Sequence, residues 1–298
     1  MGAGLYTYRR RYISIALAVG TLLCGAAVES AAQVRILEPH QFSDPEGRLL
    51  AFYSAAMSFS PAGFAPDESR ISFTLEVSHV PYLNEAQRRP SIDKPESTNL
   101  APFFPRPRLG MRFGSWIVEG SWIPPMEVFE VTANLLSAAV TGPSARLGSI
   151  DVSPRVWGTV GKVQGAMTCS PKTMVGNGAD LELYYATVCH SRESDDWFQP
   201  RVLGGEAVAS FALGDGGSRM YATVGARYDR TRFDIGVLTF EGKRDQDHPV
   251  LELDAFRPQG AIGASWRATR SLATGGELFY APGSVLTVRI SGRWIIRQ

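Results

Sequence analysis

The sequence has little of what soluble enzymes and nucleic-acid binders usually carry. Its 298 residues include 3 cysteines and 4 histidines, and 30 basic side chains nearly cancel 29 acidic ones, for a formal charge of +1. Phosphate neutralisation needs a clustered basic excess, so nucleic acid is not an expected partner. No glycine-rich phosphate loop or dinucleotide fingerprint occurs, because Gly214 to Gly217 sit in a turn signal with no helix after it. Beyond residue 32 no apolar run approaches the roughly 20 residues of a spanning helix. A membrane location therefore requires a closed sheet, since an open edge leaves backbone polar groups unpaired in hydrocarbon.

What is present starts with Arg9, Arg10 and Arg11, an apolar run from Tyr12 to Leu23, and the small-residue stretch Ser30-Ala31-Ala32-Gln33. This three-part layout predicts a secretory signal peptide over residues 1–32, cleaved after Ala32. Its apolar run is too short for an anchor. Leu23 stands where a lipoprotein signal at Cys24 would want a small residue, and the twin-arginine pattern is poor beyond the arginines themselves. Cleavage takes three arginines and Glu29 from totals of 30 and 29, leaving 27 basic and 28 acidic side chains.

Cys169 and Cys189 then remain, an even pair that in an exported chain reads as a disulfide. Its closure of 19 intervening residues is worth about 3 kcal/mol in the chain-entropy model. The competing reading, a metal site with His190, Asp195 and Asp196, lacks a second paired-ligand motif. No cofactor is expected.

The C-terminal third carries the architecture. Leu286, Val288, Ile290, Gly292, Trp294 and Ile296 alternate with Thr287, Arg289, Ser291, Arg293, Ile295 and Arg297. A period of two, apolar on one side and arginine-bearing on the other, is a strand between unlike environments. The same pattern recurs around Gly260–Arg267, Met220–Asp229, Leu203–Phe211, Trp116–Trp122, Arg108–Phe113 and Ile71–Ser78.

A secreted β-sandwich also alternates. Three features favour lipid: small residues with tryptophans (Trp116, Trp266, Trp294) near strand ends, export itself, and the alternation of short links with the long polar links 81–106, 163–200 and 241–250. Ten strands satisfy that alternation, at about 69–80, 107–114, 116–124, 127–141, 145–162, 201–213, 218–240, 250–268, 271–281 and 284–297.

Ser43-Asp44-Pro45-Glu46 reads as a helix start, with Ser43 as N-cap and Glu46 completing a capping box. A helix over 44–58 is therefore expected in an N-terminal periplasmic segment, 33–68, packed at the periplasmic mouth or plugging the lumen. The alternative is a barrel of twelve strands that recruits this segment to the wall.

The signal peptide, the alternating strands and the last strand, Ser284 to Arg297, together resemble the broad class of bacterial outer-membrane β-barrel proteins, over about residues 69–298. The resemblance implies outer-membrane lipid and lipopolysaccharide as surroundings and the barrel-assembly machinery as a partner in biogenesis. Members of the class usually end in an aromatic residue; this chain ends Ile295-Ile296-Arg297-Gln298, so Trp294 would stand in.

With apolar faces toward lipid, the lumen is lined by Arg112, Glu119, Arg155, Glu206, Arg227, Arg267, Glu277, Arg289 and Arg293. Six arginines against three glutamates suit an anion-leaning passive channel for small solutes, a porin-like role. The alternative is a structural or ligand-binding barrel, its lumen filled by ion pairs, that acts through its external loops. There Tyr184, Tyr185, Trp197 and Phe198 are the binding candidates beside the disulfide. A hydrolase would need His79, His190 or His248 to meet an aspartate and a nucleophile, and no enzymatic activity is expected.

Overall fold

Alternating side chains become strands, and ten of them close a ring in the computed structural model, which describes residues 36–62, 71–84, 87, 102–128, 131–169, 179–214, 217–245 and 248–296. The signal-peptide segment 1–32 lies outside the described residues. In chain order the elements are β1 (Leu37–His40), α1 (Pro45–Ala56), β2 (Ile71–His79), β3 (Phe103–Phe113), β4 (Trp116–Val128), β5 (Val131–Thr141), β6 (Ala145–Leu147) and β7 (Ile150–Gly165). They continue with α2 (Ala179–Thr187), β8 (Asp196–Gln199), β9 (Arg201–Leu213), β10 (Ser218–Asp234), β11 (Val250–Arg267), β12 (Leu272–Ala281) and β13 (Val285–Ile296).

The wall runs β2-β3-β4-β5-β7-β9-β10-β11-β12-β13, each strand antiparallel to the next. It closes where β13 returns to β2, from Arg289↔Ser78 to Ile296↔Ile71. Closure gives every strand of the ring two neighbours, the condition for crossing lipid with strands. Among the described residues no helix is long and apolar enough to cross a membrane.

The two faces separate as the alternation requires. Leu286, Val288 and Ile290 are 54%, 53% and 58% exposed, whereas Arg289 between them is 1% exposed. The arrangement that would have overturned the barrel reading, with Leu286 in a dry centre and Arg289 in water, is the reverse of what is found. Trp116, Trp266 and Trp294 are all outward and exposed within three residues of strand ends at one rim, where they form an aromatic girdle.

That rim, the turn end, carries the links at 114–115, 142–149, 214–217 and 268–271 together with the start of β2 and the finish of β13. The opposite loop end carries the links 80–102, 166–200 and 235–249, plus two short ones at 129–130 and 282–284. In barrels of this type the long loops face outward from the cell.

Strand limits differ from expectation mainly around prolines. β3 begins at Phe103, not 107, and β4 continues through Pro124 and Pro125 to Val128. Sequence reading stops strands at proline because it donates nothing to a ladder. Within β7 and β9, Trp157 is buried and lies over Gly204, where a Cβ would fall 2.2 Å from the indole. Only glycine fits at that position.

The short helix before the barrel is α1, and of the two placements open to it the lumen is the one observed. β1 runs parallel to the loop end of β11, Leu37↔Val250 through His40↔Leu253, and the chain then turns inward. Pro45 occupies the first turn, but the N-cap is Asp44 and makes no side-chain cap, so the expected capping box on Ser43 does not form. Instead the Asp44 carboxylate accepts the Gln41 N–H at 2.8 Å, and this bond holds its carboxyl below the usual range. The helix buries Leu50 and Ala51 against Leu253, Phe198 and Val163, and Phe52 against Phe279 and Val285.

Candidate functional site

After α1 the chain descends the lumen as an extended strip whose backbone carbonyls meet inward arginines of the wall. Arg106 donates from Nη2 to Met57 O at 2.8 Å and from Nη1 to Ser58 O at 3.0 Å. Ser58 O also accepts from Arg289 Nη1 at 3.0 Å, Phe59 O from Arg155 Nη1 at 2.7 Å, and Ser60 O from Arg108 Nη1 at 2.7 Å. Charge-assisted bonds of this kind are about twice as strong as neutral ones.

Phe59 is the centre of this arrangement. It is fully buried, with the guanidinium carbon of Arg108 4.0 Å from its ring centroid and those of Arg106 and Arg155 at 5.4 and 5.5 Å. Its remaining neighbours are apolar: Ala139, Trp157 and Val202. An aromatic face is among the few uncharged surfaces that attract a buried cation.

Carboxylates complete the lumen. Arg155 pairs with Glu206 at 2.5 Å and with Glu119 at 3.2 Å; Arg108 pairs with Glu76; and Arg289 Nη1 stands 3.8 Å from Glu277. Glu277 also accepts from Tyr221 Oη at 2.8 Å and from the Ala62 N–H at 3.0 Å. Asp229 takes Arg227 Nε at 3.0 Å and Ser54 Oγ of α1 at 2.6 Å.

Of the nine lumen charges expected from sequence, Arg155, Glu206, Arg227, Glu277, Arg289 and Arg293 are buried inside the ring, and Glu119 is half-buried with them. Arg293 Nε donates to Thr74 Oγ1 at 3.1 Å. Arg112 and Arg267 stand near the turn end, Arg112 Nε donating to Gly114 O at 3.0 Å. Sequence reasoning missed Glu76, Arg106, Arg108 and Asp229 as lumen groups, and Phe59 altogether. Their signal was there in part, since Arg106 and Arg108 keep the inward parity of Arg112.

Above the arginine layer, at the loop end, lies a chamber of about 320 Å³. Its lining has no charged side chain: Phe52, Tyr53 and Met57 of the plug face Phe104, Ile123 and Phe198 of the wall.

An outward apolar belt around a closed ring whose interior is lined by buried arginines is the arrangement that a lipid surrounding requires. This is a ten-stranded transmembrane β-barrel fold. No protein-family model matches the chain, and no curated protein matches it. Among solved structures it is similar to the outer membrane protease OmpT from Escherichia coli, at 8% identity and a TM-score of 0.35 over 81% of this chain and 100% of that one. It is similar also to the KdgM porin, at 8% identity and TM-score 0.28 over 76% and 99%, and to Ail of Yersinia pestis, at 9% and 0.28 over 77% and 99%. Likeness at this level carries no functional inference.

The loop-end cap of the barrel is tied by a disulfide between Cys169 and Cys189. Ser194 accepts the Cys169 N–H on its Oγ at 2.9 Å and returns its own N–H to Cys169 O at 2.9 Å. Of the four loop aromatics singled out from sequence, Tyr184 and Tyr185 on α2 pack against the disulfide cluster with Ile235. Trp197 is held between Lys162 Nζ, 3.0 Å from its ring centroid, and the Arg244 guanidinium at 4.5 Å. Phe198, the next residue on β8, turns the other way and lines the chamber. The four therefore do not form one surface.

The histidines have separate neighbours. His79 meets the Phe103 ring at 6.0 Å, His190 lies on Phe240 at 4.0 Å, and His248 Nε2 is 3.6 Å from Asp245. Among the described residues no group of three or more potential metal ligands is present.

Proposed function

We propose that this outer-membrane barrel works with its lumen filled, as a ligand-binding surface barrel acting at its loop end, and not as a passive small-solute channel. The observation that carries this reading is the hydrogen bonding of four wall arginines, Arg106, Arg108, Arg155 and Arg289, to the backbone carbonyls of residues 57–60. A porin-like path would require that strip to leave. Each of these arginines would then lose a charge-assisted acceptor, Arg106 both Met57 O and Ser58 O, and the packing around Phe59 would be lost with them. An arginine excess that would lend a pore anion selectivity serves here to hold the plug.

The chamber supplies what a binding role needs: an apolar cavity with few polar groups, in the size range of small-molecule pockets. Planar-bilayer recording tests the proposal. Purified barrel inserted into a lipid bilayer is expected to show no steady conductance above the bare membrane. A stable single-channel step in the unmodified protein would refute the filled lumen and restore the channel reading.

A further inference from the structure

The chamber is open on one side of the wall. Between β3 and β4 the ladder has five pairs, from Phe113↔Trp116 at the turn end to Leu109↔Gly120, and there it stops. Both strands continue toward the loop end without pairing to each other, β3 for the six residues Phe103–Arg108 and β4 for Ser121–Val128. At about 3.3 Å per residue the stretch of β3 without a ladder to β4 is roughly 20 Å long.

The chemistry of its edges suits a gap. β3 stays in register with β2 without a break, from Ile71↔Met111 to His79↔Phe103. A proline cannot donate to that ladder, so the donors to β2 are the even-numbered residues and the nitrogens of Pro105 and Pro107 face β4. On the other edge, Pro124 and Pro125 occupy the register shift of β4 against β5, between Ile123 and Met126. An unpaired N–H in hydrocarbon costs several kcal/mol. Pro105 and Pro107 remove two such donors from the β3 edge, and Pro124 and Pro125 fall where the β4 edge is already irregular.

The surroundings of the gap are the lipid-facing surface itself. Leu75, Leu109, Trp122 and Met126 flank it and are all exposed. Leu75, Pro105, Pro107 and Met126 also line the chamber, whose lining continues through Ala133 of β5 and Val163 of β7 to Phe198 of β8. Leu75 and Met126, shared by the lipid-facing surface and the chamber lining, carry no charge.

We propose that the chamber takes one hydrocarbon chain of an outer-leaflet lipid, admitted sideways between β3 and β4. This rests on the filled-lumen reading, because Phe52, Tyr53 and Met57 of the plug make the inner wall. An apolar cavity of roughly 150 Å³ stays dry and accepts benzene. The chamber, at about 320 Å³, has room for a chain segment of about twice that bulk. The arginine layer beneath it, beginning with Arg106 on Met57 O, sets the depth at which the chain stops.

Photocrosslinking tests the assignment. The full barrel is reconstituted in vesicles of phosphatidylcholine carrying a diazirine at the end of one acyl chain, irradiated, and digested for adduct mapping by mass spectrometry. Adducts are expected on interior residues Phe52, Tyr53, Met167 and Phe198, in addition to the outward Leu109 and Trp122. Adducts confined to outward residues would overturn the proposal. Ala133→Trp, which places a large ring in the chamber, is expected to lower interior adducts about tenfold with the outward ones unchanged; undiminished interior labelling would overturn it as well. Met57→Trp repeats the test from the plug side. A diazirine-bearing octanoate supplied from water to probe-free vesicles is expected to label the interior weakly. Stronger labelling by octanoate than by the lipid would refute entry from the membrane. Conductance of the same vesicles separates the two failures, because a conducting barrel defeats the filled lumen, whereas a closed barrel without interior adducts defeats only the lipid assignment.

Discussion

Phe59→Ala is the substitution that most directly probes how the plug is held. The ring is wholly buried, packed on Ala139, Trp157 and Val202 and faced by three guanidinium groups, the nearest at 4.0 Å. Truncating a buried phenylalanine costs about 3–5 kcal/mol, and a desolvated cation over its face adds about 0.5–2. The arginines keep their carbonyl acceptors at Met57, Ser58 and Ser60 after truncation and can settle toward the hole, so a value near the low end, about 4 kcal/mol, is expected. At 1.4 kcal/mol per decade this raises the population of plug-released barrel by about a thousandfold. Hydrogen exchange by mass spectrometry in lipid nanodiscs reads it directly: peptides covering α1 should lose about three decades of protection while strands β9 to β13 keep theirs. Phe59→Leu should fall between. A loss in α1 smaller than about tenfold would refute the reasoning, since the arginine–carbonyl bonds alone would then be holding the segment.

Two further outcomes follow from the lumen and the cap. Arg155→Leu leaves Glu206 without its cation and should cost about 3–5 kcal/mol in urea unfolding of vesicle-embedded barrel, whereas Arg155→Leu with Glu206→Leu should recover more than half of it, as replacing a whole buried pair commonly does. Cys169→Ser should raise exchange in α2, where Tyr184 and Tyr185 pack on the sulfurs, in line with about 3 kcal/mol of loop closure, and leave the unfolding midpoint of the ring unchanged.

Much of the wall was legible because alternation is a strict physical signal. β9, expected at 201–213, is found as Arg201–Leu213, and Leu286 through Trp294 face outward as their parity requires. A one-residue slip would have put Arg289 and Arg293 in lipid, so the pattern leaves little choice of register. The plug was legible only as a helix start. Residues 57–62 have no period, and what places them is their carbonyls, which every residue has. The clue lay in the wall: with six arginines against three glutamates in the expected lumen, the surplus cations needed neutral acceptors, and a backbone strip is the richest supply. The gap was hidden for a different reason. Pro105 and Pro125 read as link and Pro107 and Pro124 as strand ends, yet all four lie within strands whose shared ladder stops at Leu109↔Gly120. For the same reason Phe198 was grouped with Trp197 as a loop aromatic, although successive strand residues point to opposite sides.

The parallel pairing of β1 with the loop end of β11 constrains how the molecule comes into being. The two ends of segment 41–70 are anchored at opposite rims, His40 beside Leu253 and Ile71 beside Ile296, with residues 45–60 packed inside between them. A finished cylinder offers that segment no way in from the side on which β2 begins. The β2–β13 seam joins the first and last strands of the wall, so until the final strand is made the sheet is a trough open along its length, and the segment can lie in it. The cylinder is wrapped around its contents, and its seam is the last place at which they can be enclosed.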